Sequence, residues 1–186
     1  MRRLEEETFP IISYLAKSGA IVRQEDQTKI AARLAHIAMV GTLSVEDDAQ
    51  GISYAERTYL REHLSPPPNW TIFLARADVP PERGQYFHSA GFVARASESS
   101  EAAEIGRHAM VTFLLGTLCI HICTNGTVQG YEGLQLVRLW PLQNEEINLV
   151  KASLMDRRTI HRMATTMEQR ARAQGHVRRK TSPLSR

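Results

Sequence analysis

Several features that would identify a class of protein are scarce or missing in this chain of 186 residues. No apolar run approaches the roughly 18 residues that a membrane-spanning helix needs, so we expect no membrane partner. Cysteine occurs only twice, as Cys119 and Cys123 in one apolar segment, which excludes the disulfide framework of a small secreted domain. The charged first residues contain no hydrophobic signal-peptide core, and we therefore expect a cytoplasmic protein.

Motifs that bind phosphates or recognise nucleic acid by a known module are also missing. The chain contains neither Gly-x-Gly-x-x-Gly nor a Walker A loop, and it has no helix-turn-helix, zinc finger or RNP signature. Aromatic residues make up only 6% of the chain, and none follows Trp140. Base stacking by the C-terminal region is therefore not expected. We expect no cofactor, and the balance of features favours a protein that is not an enzyme.

The composition is that of an ordinary globular domain. Hydrophobic residues account for 42% and charged residues for 23%, which is enough apolar material for a core without disulfides or metal. The length fits one domain with an appended element.

Helical periodicity dominates the N-terminal third of the chain. Ser53 and Glu56 are spaced as a capping box for the third helix, and Gly41 is a plausible stop for the second. The predicted helices run from Leu4 to Lys17, from about Glu25 to Val40, and from Tyr54 to His63.

After the run Pro66-Pro67-Pro68 the pattern changes to apolar segments rich in β-forming residues. These predict strands at Trp70 to Ala75, Gln85 to Ala96, Ala109 to Leu115, Thr117 to Cys123 and Gly133 to Trp140. Residues 1–150 are therefore predicted to form a single α+β domain, with N-terminal helices followed by a mainly antiparallel sheet of about five strands.

The C-terminal segment has the opposite charge from the rest of the chain. Residues 1–150 hold 13 Lys and Arg against 18 Asp and Glu, whereas residues 151–186 hold 10 against 2. An apolar stripe through this segment predicts a basic amphipathic helix within residues 151–175 that docks on the domain. Residues 176–186, rich in charge, Ser and Pro, are predicted to be a disordered basic tail.

This basic segment is the leading functional candidate, because clustered cations neutralise phosphates in a largely sequence-independent manner. A merely solvated charged helix is the equally weighted alternative. The candidate nucleic-acid-binding residues are Arg157, Arg158, Arg162, Arg170, Arg172, Arg178, Arg179 and Lys180.

A second, weaker candidate is the set Cys119, His121 and Cys123, which alternate on one predicted strand and so share a face. Cysteine and histidine are zinc ligands, but three ligands from one straight strand rarely converge on one ion, and a half-buried strand face is the preferred interpretation. His88 with Ser89 is a still weaker base and nucleophile pair, since no nucleophile elbow accompanies it.

Short segments along the first three quarters of the chain carry a family resemblance. They are Met1 to Glu5, Ile30 to Ala35, Ala38 to Val40, Pro66 to Ala75, Leu115 to Leu118 and Leu139 to Pro141. Together they resemble the C-terminal region of a bacterial family of uncharacterised HNH-endonuclease-like proteins. The resemblance covers about residues 1–141 and implies a nuclease-associated accessory or regulatory domain, or a relative that has lost catalysis. The paired cysteines and the HNH pair of that family have no counterpart here.

Three functional hypotheses follow. The first is a non-enzymatic, nucleic-acid-associated domain that binds a polyanion through its basic C-terminal helix. The second is a protein-interaction or homo-oligomerisation module that uses the apolar stripe of the same helix. The third is a metal-dependent hydrolase or nuclease. The stripe in question consists of Ile160, Met163, Met167 and Ala171.

Overall fold

A computed structural model describes residues 2–18, 21–45, 52–79, 86–94, 107–124, 136–142, 145–173 and 176–178. The α+β class predicted from the sequence is confirmed. Along the chain, three helices come before most strands of a mostly antiparallel sheet, and a fourth helix follows them. In the described part of the chain the helices are α1 (Arg2–Ser18), α2 (Gln24–Val45), α3 (Tyr54–His63) and α4 (Arg157–Ala173). The strands are β1 (Ile21–Val22), β2 (Thr71–Asp78), β3 (Phe87–Ala94), β4 (Arg107–Leu115), β5 (Leu118–Cys123), β6 (Val137–Trp140), β7 (Ile147–Asn148), β8 (Leu154–Asp156) and β9 (His176–Arg178).

The large sheet has seven strands in the order β6-β2-β5-β4-β3-β9, with β8 added in parallel beside the end of β2. The five strands predicted from the sequence are present as β2 to β6, which are adjacent in the sheet. Between β4 and β5 the chain reverses at Gly116, whose φ of 58° lies in the left-handed region that glycine occupies without strain. The short strands β1, β7, β8 and β9 carry too few residues for a periodic signal.

Helices cover both faces of this sheet. On one face α1, α2 and α3 pack over a core that includes Leu34, Leu60 and Ile122. On the other face α4 packs over a second core that includes Ala75, Cys119 and Ile160. Strand β5 lies between the two cores and is buried along its whole length. The expectation of a half-buried strand face at residues 119–123 is therefore wrong, because the docked helices leave neither face of β5 to solvent.

Capping chemistry holds α3 to the start of β2. The predicted capping box is confirmed: Ser53 Oγ accepts from Glu56 N at 3.2 Å, and Glu56 Oε2 accepts from Ser53 N at 2.7 Å. The other carboxylate oxygen of Glu56 accepts from the indole N–H of Trp70 at 2.8 Å. Trp140 Nε1 and the backbone amide of Trp70 both donate to the carbonyl of Pro67 at 3.0 Å, which fixes the proline run.

Helix α2 does not stop at Gly41 but continues to Val45, which corrects the boundary expected from the sequence. The glycine serves packing instead. A Cβ atom at residue 41 would lie 2.2 Å from Cε2 of Phe87, so the ring or the helix would have to shift to admit any larger residue.

The tail prediction is also wrong at its start. Residues His176–Arg178 form β9, which pairs antiparallel with Phe92–Ala94 of β3. An unpaired edge of β3 supplies the backbone hydrogen-bonding groups that make this short strand form. Residues 179–186 lie outside the described part of the chain. None of the helices in that part is both long enough and apolar enough to cross a membrane.

Candidate polyanion-binding surface

The N-terminus of α4 is set by Asp156, the last residue of β8. Its Oδ1 accepts a hydrogen bond from the backbone amide of Thr159 at 2.7 Å, as an N-cap aspartate does. Hydrogen bonds from Thr159 are the main cause that lowers the pKa of this carboxyl, and the charges of Arg162 and Arg158 lower it further. The helix therefore starts with a carboxylate that stays ionised, immediately before the first arginines.

The inner side of α4 is apolar and buried. Ile160 is fully buried and Met163 is 3% exposed, and both belong to the core on this face of the sheet with Met155 of β8. These contacts are why the helix docks in a fixed orientation. The oligomerisation hypothesis requires an exposed apolar stripe on α4. Two residues of that stripe, Ile160 and Met163, pack instead against their own chain. The side chains of Met167 and Ala171 lie outside the described set.

The outer side of α4 carries the cations. Arg157, Arg158 and Arg162 are all exposed, and Arg158 and Arg162 lie one helical turn apart. Among the described residues, no carboxylate lies within 4.0 Å of these three guanidinium groups, whereas Arg23 and Lys29 on the opposite layer pair with Glu25 and Glu7. The first two turns of α4 thus present three exposed arginines, and Asp156 at the N-terminus of the helix is the carboxylate whose charge interacts with Arg158 and Arg162.

The other five candidates lie C-terminal to these three arginines. Arg170 and Arg172 lie in the last turns of α4, and Arg178 lies in β9 opposite Phe92. The side chains of these three are outside what the structure describes, as are Arg179 and Lys180 altogether.

Sequence reasoning missed a pair of residues beside this surface. Tyr86, just before β3, places its hydroxyl 3.5 Å from Nδ1 of the exposed His161, and the two rings meet edge to face at 6.5 Å between centroids. Burial, and secondarily Cys119, raises the pKa of Tyr86, while Arg157 lowers it. The contact ties the second turn of α4 to the neighbouring strand, and nothing in the sequence spacing of 75 residues signals it.

The Cys119, His121 and Cys123 set lies in the sheet interior. His121 is 1% exposed; its Nδ1 lies 2.7 Å from Thr112 Oγ1 and its Nε2 lies 3.3 Å from Cys123 Sγ. Burial, reinforced by the nearby His88, lowers the pKa of His121 to about 4, and burial raises the pKa of Cys119 to about 12. The histidine is therefore a neutral, hydrogen-bonded core residue.

No metal centre is found in the described ranges, where no three His, Cys, Asp or Glu side chains are arranged to hold an ion. The base and nucleophile pair is also not formed. His88 and Ser89 are consecutive residues of β3, so their side chains point to opposite faces of the sheet.

Comparison with protein-family models, with curated proteins and with solved structures finds no match to this chain. The surface must therefore be interpreted from its own chemistry.

Proposed function

We propose that this chain is a non-enzymatic, nucleic-acid-associated domain that binds the phosphate backbone through the outer side of α4. The observation that carries the proposal is the exposed group Arg157, Arg158 and Arg162, which outnumbers the one neighbouring carboxylate, Asp156, among the described residues. Guanidinium groups bind phosphate oxygens through two parallel hydrogen bonds. Contacts of this kind position a protein on nucleic acid but read no sequence.

The docking of α4 supports the proposal physically. Ile160 and Met163 hold the helix by its opposite side, so the arginines are displayed on a rigid element and not on a fraying end. A cationic surface that is already ordered loses less conformational entropy when it binds. The acidic remainder of the chain, with 18 carboxylates against 13 cations in residues 1–150, restricts attraction of a polyanion to this part of the molecule.

The test is a fluorescence-anisotropy titration of the full chain with labelled double-stranded DNA at several salt concentrations. The double variant Arg158→Gln, Arg162→Gln should bind more weakly, and the slope of log affinity against log salt should fall by about 2, since each phosphate contact contributes about 0.9.

The matched control is Arg23→Gln with Lys29→Gln, which removes the same charge from the opposite layer, where both cations are already paired. Its salt slope should equal that of the unmodified chain. Equal weakening by both double variants would mean that only net charge matters, and the assignment to α4 would be wrong.

A further inference from the structure

Helix α3 carries a second cationic surface, in the layer opposite α4. Its inner side buries Glu56 and Leu60. Tyr54, Arg57 and Arg61 follow at positions i, i+3 and i+7, which fall on one side of a helix. Tyr54 is 74% exposed, Arg61 is exposed and Arg57 is half-buried. One side of α3 thus carries an aromatic ring and two guanidinium groups. They extend along about 10 Å of the helix, because each residue adds about 1.5 Å.

Arg57 has an unmet hydrogen-bonding group. Its Nε is buried, and no acceptor lies within hydrogen-bonding distance in the described part of the chain. Buried donors are nearly always paired, so the half-buried side chain of Arg57 gains a hydrogen bond if it turns outward to an acceptor. Arg57 and Arg61 also lie one turn apart, a like-charge spacing that destabilises a helix. Both features are relieved by an anion bound between the two guanidinium groups.

Tyr54 indicates what else the ligand carries. An aromatic ring this exposed contributes little to the fold, and such rings stack on planar bases beside cations that hold the phosphates. The net charge of residues 1–150 is negative, with 18 carboxylates against 13 cations, which repels a long polyanion more strongly than a single nucleotide.

We propose that the α3 side formed by Tyr54, Arg57 and Arg61 binds a nucleotide unit, with the base stacked on Tyr54 and the phosphate held by the two arginines. This inference is independent of the polyanion surface on α4, from which α3 is separated by the sheet.

The experiment is NMR of the ¹⁵N-labelled full chain titrated with adenosine 5′-monophosphate, adenosine and inorganic phosphate. The arginine Nε–H signal of Arg57 should shift with the monophosphate and with phosphate but not with adenosine. Tyr54→Ala should weaken binding of the monophosphate about fivefold or more and leave phosphate binding unchanged, as expected for loss of one stacked base. Arg57→Lys, which keeps the charge but removes the Nε–H, should weaken both ligands.

Tyr14→Ala is the matched control, since Tyr14 is an exposed tyrosine on α1. It should bind the monophosphate as the unmodified chain does, and Arg158→Gln with Arg162→Gln should do the same. A short single-stranded oligonucleotide separates the two sources of the nucleotide unit: tighter binding than the monophosphate, lost in Tyr54→Ala, identifies a strand, and equal or weaker binding identifies a free nucleotide.

An Arg57 Nε–H signal unmoved at millimolar monophosphate overturns the proposal. Equal weakening by Tyr14→Ala and Tyr54→Ala also overturns it. So does a shift of the α3 signals that follows protein concentration instead of ligand, which would identify a second copy of the chain as the partner.

Discussion

Replacing Gly41 by alanine changes the free energy of unfolding in two opposite ways, through helix propensity and through a steric clash with Phe87. In an exposed helix interior, Gly→Ala stabilises by about 1 kcal/mol, because alanine restricts the unfolded chain and suits the helix. At residue 41 the new Cβ would lie 2.2 Å from Cε2 and 2.4 Å from Cζ of Phe87. Real contacts of this kind are never so short, so the ring or the helix must move.

The ring has limited room to move. Phe87 stacks on Phe113 with 6.1 Å between centroids and packs against the core under α2. Overpacking of this kind costs about 1–3 kcal/mol. Subtracting the gain in helix propensity, we expect Gly41→Ala to lower the free energy of unfolding by about 1 kcal/mol, where an unobstructed site would raise it by that amount.

Urea unfolding followed by circular dichroism measures this difference, and a double-mutant cycle with Phe87→Leu assigns its cause. In the Phe87→Leu background the ring is gone, so Gly41→Ala should become neutral or stabilising, with a coupling of about 1–2 kcal/mol. If Gly41→Ala stabilises the unmodified chain, α2 does not approach β3 so closely at residue 41, and the packing role given to this glycine is wrong.

Two further predictions concern buried polar groups. Glu56→Ala removes the acceptor for Ser53 N and Trp70 Nε1 and should lower the free energy of unfolding by about 3 kcal/mol in the same urea assay. Glu62→Ala, an exposed change on the same helix, is the control and should leave the free energy of unfolding nearly unchanged. Equal effects of the two substitutions would contradict the buried role of Glu56. Burial lowers the pKa of His121 to about 4 in the folded chain, against an ordinary 6.5. Between pH 6.5 and pH 4 the unfolded state therefore binds a proton that the folded state does not. The free energy of unfolding should fall by about 3 kcal/mol over this range. His121→Gln should lack this part of the pH dependence, and an identical profile in both proteins would show that the histidine is not buried in its neutral form.

Local signals in the sequence were sufficient for the elements that rest on local chemistry. The capping box at Ser53 and Glu56 defines the start of α3 because both hydrogen bonds close within four residues. The strands β2 to β6 follow from apolar β-forming segments, and the turn at Gly116 follows from the break between two of them. The basic amphipathic helix follows from an apolar stripe repeated over several turns.

Long-range contacts decided what local patterns could not. Gly41 is typical of a helix stop, yet it lies inside α2, where the ring of Phe87, 46 positions later in the chain, occupies the space of a side chain. His176–Arg178 have the composition of a disordered tail, yet they form a strand because β3 offers them an edge. At His121, alternation correctly puts three side chains on one face, but only the docking of α4 shows that face to be buried.

By itself the sequence determined the class of the fold, the positions of its main helices and strands, and the gathering of positive charge at residues 151–186. These properties depend on neighbours a few positions apart. Only the tertiary structure decided which side of α4 is buried, which of its arginines are exposed, and that Arg57 on α3 has an unmet donor. These properties depend on which residues distant in the chain meet in space. Burial decides whether a charged group stays in contact with water or needs a partner within the fold.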